Sequence, residues 1–315
     1  MRAAVLQAFG SAPVLVSDFP EPSPGVDDVV VELVLAAVNP IDVWVCEGSV
    51  GAAMAPPLVP GGEGVGRLAD GTRVIVRGGG LGVSRHGTYA ERVAVHPRSI
   101  VTIPEGVTDE QAAGIGIAGV TALDALDLAE VGPSSTVLVL GASGGVGTFA
   151  VQLAKARGAR VVAQTSSPDR AGDLALRAET VIVAEADGLE SELAEVAPQG
   201  VTAVLDGLGG DFTSASIRLV APRGIIALYG QSAGRNVQFS PTDLYRKSAQ
   251  IRGYSGLHSS AETLTKGVRR LLELVAEGVV APTIDAVLDL ADAAESHRRI
   301  TERESAGKLL LRVRS

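Results

Sequence analysis

The 315-residue sequence contains one cysteine, Cys46. A single thiol excludes an internal disulfide and a structural zinc site of four cysteines. It also suits a reducing compartment, so the expected localisation is cytoplasmic. Basic residues are not in excess: Lys and Arg total 27 against 36 Asp and Glu, a formal charge of −9. That balance argues against an electrostatically driven nucleic-acid partner. Long apolar runs are missing too. Residues 1–13 carry one early charge and no long apolar stretch, so they do not read as a signal peptide. Runs such as Val137-Leu138-Val139-Leu140 fall far short of the about 20 residues a membrane-spanning helix needs, and no membrane partner is expected. The composition that remains, 46% hydrophobic and 20% charged, is globular. The length suits about two domains of ~150 residues, enough to bury a core without disulfide or metal staples.

The first third reads as strand and turn. Residues 1–6 form a short apolar strand, and Pro13, Pro20, Pro22 and Pro24 break the stretch that follows. Residues 29–38 are β-branched with only Glu32 charged, the pattern of a buried strand. Pro56, Pro57 and Pro60 lead into GGEGVGRL, whose glycines suit tight turns or close backbone approach. Strands are expected at 72–77 and 89–95, with little helix before about residue 108.

The pattern then changes. A buried strand at 136–141 leads into a helix on which Val146, Phe149, Ala150, Leu153 and Ala154 share one apolar face. Further strands are expected at 160–165, 181–184, 201–206, 225–229 and 250–254. Helices fit around 170–178, 189–197, 212–221 and 242–248. Strands without polar alternation, separated by helices, predict an α/β fold with a parallel doubly wound sheet. The tail predicts a helix at 261–277, with Leu264, Val268, Leu271, Leu272 and Val275 on one face, and another at 290–303. A last strand at 308–313 needs a sheet to join, and the first domain is the expected host.

GASGGVG, Gly141 to Gly147, lies between the buried strand and the amphipathic helix, the context a phosphate-binding turn requires. Small residues let the backbone approach a pyrophosphate. The N–H groups of Gly144, Gly145 and Val146, with Ser143 beside them, are the expected donors, aided by the helix dipole. The alternative is an ordinary strand–helix turn. The next strand ends in Gln164-Thr165-Ser166-Ser167-Pro168-Asp169-Arg170, without the terminal acid that binds ribose hydroxyls in NAD sites. Ser166 and Arg170 suit a 2′-phosphate, which points to NADPH. Against this, the serines read equally as turn residues, Arg170 as a solvated side chain and Asp169 as a helix cap.

Taken in order, AAVNPIDVW, PGGEGVG, GTYAE, AGVTALDAL, GASGGVG, VLDGLGG and GKLLL resemble the zinc-independent quinone oxidoreductases of the medium-chain dehydrogenase/reductase superfamily over essentially the whole chain. The resemblance implies a GroES-like β-rich catalytic domain from residues 1–117 and 258–315, a Rossmann domain from 118–257, and an active site in the cleft between them. It also implies a homodimer joined through the strand at 250–254. It places Asn39 near the nicotinamide, Thr121 and Lys308 near the cofactor, and the loop with Gly230 and Gln231 over the nicotinamide side.

Zinc alcohol dehydrogenases of the superfamily have a Cys where this chain has Asn39, and a His before the Glu where it has Gly62-Glu63. Catalytic zinc takes three protein ligands, and His86 and His96 have no partner at ligand spacing, so no metal is expected. Without a Lewis acid, the expected reaction is hydride transfer from NADPH to an already electrophilic quinone or α,β-unsaturated carbonyl. Some quinone reductases carry tyrosines where this chain has Trp44 and Val50, which leaves the proton donor open. Trp44 is a candidate catalytic residue through ring stacking, or else a core residue. Tyr254 and Asp42 are weaker candidates for that role, and Asp42 reads equally as a turn holder. An enoyl reductase on a carrier- or CoA-linked acyl chain and a non-catalytic NADPH-binding protein are the alternative functions.

Overall fold

In the computed structural model, which describes residues 1–51 and 53–314, the first third is built on strands as expected. Ala52 and Ser315 lie outside the described residues. Strands β1 (Ala3–Val5) and β2 (Val14–Val16) pair antiparallel. Then come β3 (Val29–Val38), α1 (Pro40–Cys46), β4 (Glu63–Arg67), β5 (Arg73–Arg77), β6 (Arg92–Val95) and β7 (Ile100–Thr102). The long helix α2 (Asp109–Leu128) follows. Thr108 and Gln111 cap it reciprocally, with N–H to side-chain bonds of 2.9 and 3.1 Å.

Next are β8 (Thr136–Val139), α3 (Gly145–Ala156), β9 (Arg160–Thr165), α4 (Ala171–Ala175), β10 (Thr180–Val183) and α5 (Leu189–Val196). They lead to β11 (Val201–Asp206), α6 (Gly210–Leu219), β12 (Val220–Leu228), α7 (Pro241–Tyr245) and β13 (Gln250–Gly253). The tail holds α8 (Ala261–Ala276), β14 (Ile284–Asp289), α9 (Ala293–Thr301) and β15 (Lys308–Arg312). Two compact units result, Met1–Val120 with Gly256–Ser315, and Thr121–Ser255.

In the first unit, β14, β15, β3, β4, β5 and β7 lie side by side, and β6 pairs with the outer half of β3. The closing strand β15 runs antiparallel to β3, with Leu309 opposite Val38, so the end of the chain completes the sheet begun at residue 29. Leu33, Ala36, Val38, Val74, Val76, Tyr89, Leu309 and Leu311 share its core. In the second unit all five strand pairs are parallel, in the order β10-β9-β8-β11-β12-β13. Counted along the chain this is 3-2-1-4-5-6, the dinucleotide-binding order, with its reversal between β8 and β11.

Four points of the sequence reading are corrected. A helix, α1, stands where none was expected: Pro40, which reads as a breaker, occupies its first turn, where a missing N–H costs nothing. The strand expected at 225–229 begins at Val220, and β14 was unforeseen because Asp285 and Asp289 obscure an edge strand. The helix expected at 290–303 opens as a 3-10 turn, Leu290–Asp292, before α9.

Candidate functional site

The glycine-rich turn joins β8 to α3 in the second unit. Gly141 has φ +61°, and the Gly144 N–H bonds back to the Gly141 carbonyl at 3.0 Å. The Gly144 N–H, one of the expected donors, here closes the turn. The N–H groups of Gly145 and Val146 open α3, where a first-turn N–H has no intrahelical acceptor. Gly147 is fixed by packing. A Cβ there would overlap the Gly141 carbonyl and stand 2.6 Å from Ala142 Cα, so only glycine brings helix and strand this close. Gln164, fully buried in β9, braces the turn. Its Oε1 accepts the Gly141 N–H at 2.8 Å, and its Nε2 donates to the Ala184 carbonyl at 2.7 Å. Sequence reading missed this role, although a glutamine inside the apolar run of β9 was its signal.

Other candidates gather at the same carboxyl edge of the sheet. Ser143 Oγ lies 3.3 Å from Thr165 Oγ1, which also accepts the Ser167 N–H at 3.2 Å. Ser166 is exposed and Arg170 half-buried in the 3-10 turn Pro168–Arg170. Gly230 and the exposed Gln231 follow β12, and Gly230 packs directly on Gly207 after β11. Thr121 is buried within α2.

The first unit holds a buried ionic cluster. Topology brings the end of β3, the start of β4 and the start of β15 together, and with them Asn39, Glu63 and Lys308, which are 2%, 1% and 3% exposed. The Lys308 ammonium donates to the Val38 carbonyl (3.0 Å), Asn39 Oδ1 (2.6 Å) and Glu63 Oε1 (3.3 Å), one acceptor for each of its protons. Asn39 Nδ2 donates to the same Glu63 Oε1 at 2.9 Å. Glu63 Oε2 accepts the Ile117 N–H of α2, and a Cβ at Gly116 would overlap that oxygen. Asn39 therefore turns its amide inward, onto an opposite-charge pair.

Asp42 adjoins this cluster. Its Oδ2 accepts the Asn39 N–H at 2.8 Å, closing the first turn of α1, and its Oδ1 accepts the Gly62 N–H at 3.1 Å. Burial pushes its carboxyl up to about 7, against the Asn39 N–H and the Lys308 charge, which favour ionisation. Trp44 is half-buried on α1. Cys46 is buried beside Leu6, Val45 and Leu58, and burial pushes its thiol up to about 12.

His86 Nδ1 accepts the Val59 N–H and His96 Nδ1 the Arg98 N–H. Among the described residues no three His, Cys, Asp or Glu side chains converge as a metal site, and no helix is long and apolar enough to cross a membrane.

Residues 145–277 match the family described as zinc-binding dehydrogenase. That stretch includes neither Asn39 nor Glu63. The human synaptic vesicle membrane protein VAT-1 homolog is 30% identical over 321 residues, covering 92% of this chain and 80% of its own. A solved structure of an NAD-dependent alcohol dehydrogenase superposes with a TM-score of 0.90 at 30% identity over the whole of both chains. The quinone oxidoreductase of Thermus thermophilus, solved also in complex with NADPH, gives 0.87 at 30% identity over 99% of this chain and 100% of its own. With its parallel 3-2-1-4-5-6 sheet, glycine-rich turn and β-rich first unit, the chain belongs to the quinone oxidoreductase family of the medium-chain dehydrogenase/reductase superfamily.

Proposed function

We infer that the protein is an NADPH-dependent, metal-free reductase that transfers hydride to a quinone or an α,β-unsaturated carbonyl. The observation that carries this reading is the cluster at Asn39. Where zinc relatives have a cysteine ligand, this chain has an amide already bonded to a buried lysine and glutamate, and where they have a histidine it has Gly62. An amide and a glycine are not a zinc donor set.

The residues of the second unit suit NADPH. The Gly145 and Val146 N–H groups and the close packing at Gly147 fit a pyrophosphate. Ser166 and Arg170 fit a 2′-phosphate, with no acid ending β9 to repel it. When bound, the cofactor supplies the hydride. The protein's part is to bind and orient both reactants, which suffices for an acceptor that is already electrophilic. The outer strand β13, with Ile251 exposed on it, supports a homodimer formed by edge-to-edge pairing.

The test is NADPH consumption with a panel of quinones and enones, before and after dialysis against a chelator. Turnover is expected and is unchanged by the chelator, and ethanol is not oxidised. Stoichiometric zinc whose removal abolishes activity overturns the metal-free reading. Arg170→Ala is expected to weaken NADPH binding about ten- to a hundredfold, the worth of a charged hydrogen bond, and to leave NADH binding nearly unchanged. Equal loss for both cofactors in a fluorescence titration refutes a 2′-phosphate contact.

A further inference from the structure

The Tyr89 hydroxyl lies between two titratable side chains that the reaction above leaves unused. It is 3.3 Å from Asp42 Oδ2 and 3.3 Å from His297 Nε2, and all three residues are buried. They come from α1, the segment before β6, and α9, so this is a tertiary arrangement and not a local turn. Asp42 is its inner end. Through the Asn39 and Gly62 N–H groups, the carboxyl ties down the residue that contacts Lys308 and the residue just before Glu63.

Proton counting fixes the direction of the bonds. When Asp42 is ionised, every group bonded to it must donate, so Tyr89 gives Asp42 its only proton. The Tyr89 oxygen can then only accept from the imidazole, which must carry its hydrogen on Nε2. When Asp42 binds a proton on Oδ2, the chain can run the other way: carboxyl to Tyr89, Tyr89 to His297 Nε2, with the imidazole hydrogen on Nδ1. The two states differ by one proton on the carboxyl, and the imidazole is neutral in both. Burial pushes His297 down to about 4, which keeps it neutral throughout. The charged and titratable groups facing Asp42 are Lys308, Glu63, Cys46 and Tyr89.

We propose that Tyr89 and His297 are positioning residues for the reaction, acting through Asp42, and that the arrangement with Asp42 ionised and His297 protonated on Nε2 is the one that holds Asn39 and Gly62 for turnover. This rests on the reductase reading, and the test separates the two. In the full chain labelled with nitrogen-15 histidine, His297 is expected to change tautomer as the pH falls through about 7, together with kcat for quinone reduction. Tyr89→Phe keeps the ring and removes the relay. It is expected to lower kcat at neutral pH about tenfold, the worth of one hydrogen bond to a charge. Because a donor to the carboxylate is lost, the acid limb of kcat should rise by about one pH unit. KM for NADPH is expected to stay unchanged and the His297 transition to disappear. A wild-type His297 that keeps one tautomer across the range overturns the proposal, as does a Tyr89→Phe enzyme with the wild-type pH profile. If no acceptor is turned over, the reductase reading fails, and the tautomer titration alone decides whether the chain responds to protons.

Discussion

Replacing Lys308 with methionine is expected to destabilise the protein by about 3–5 kcal/mol, the usual cost of removing one partner from a buried ion pair. Methionine is close in volume to the lysine stem, so little of the loss comes from a cavity. It comes from Glu63, left 1% exposed with its charge facing Asn39 Nδ2 and the Ile117 N–H alone, and from the Val38 and Asn39 oxygens, which lose their donor. The partner substitution checks the cause. Glu63→Gln added to Lys308→Met removes the stranded charge and is expected to recover a large part of the loss, because residues in one network do not act additively. Urea denaturation of the two single variants, the double variant and the parent provides the cycle. Equal destabilisation in Lys308→Met and the double variant would mean that Glu63 is not the group left uncompensated. Quinone turnover is expected to fall in parallel, since Asn39 loses the cation that holds its amide oxygen.

Many strands of this protein were legible because they are apolar runs, several of them buried on both faces, as in β8 and β9. Val29–Val38 and Val201–Asp206 appear with the bounds their composition suggests, and β15 joins the first sheet between β14 and β3. What the sequence obscured was register and polarity. Asn39, Glu63 and Lys308 are distant in the chain, and only the pairing of β15 with β3 and of β3 with β4 sets them within hydrogen-bond reach. A signal was nevertheless present. Glu63 stands among glycines at the head of a buried strand, and Lys308 opens the apolar run of β15; two opposite charges in buried strands call for one another. Reading Glu63 only as the neighbour of a missing histidine passed over this. From the sequence, Asp42 is a turn holder or a weaker proton-donor candidate. It does close the first turn of α1, but its other oxygen and Tyr89 extend its reach to Gly62 and His297, contacts that no local pattern encodes.

Gly147→Ala tests the nucleotide site. The added methyl would overlap the Gly141 carbonyl and meet Ala142 Cα at 2.6 Å, and both are backbone, which cannot rotate away as a side chain would. Helix α3 must therefore lift from the end of β8. Overpacking of this kind costs about 1–3 kcal/mol, so the fold survives in a protein of this size and binding can be measured. The lift carries the Gly145 and Val146 N–H groups with it, because they belong to the same first turn. Each hydrogen bond to a charged phosphate is worth about 1.5–3 kcal/mol, so misplacing both is expected to weaken NADPH binding about a hundredfold or more. Gly132→Ala is the control: that glycine has open space around its Cβ and ordinary φ, and its substitution is expected to leave affinity unchanged. Titration of nicotinamide fluorescence with the three proteins reads the difference directly. A Gly147→Ala protein that is destabilised but binds NADPH as tightly as the parent would show that the pyrophosphate does not lie on this turn.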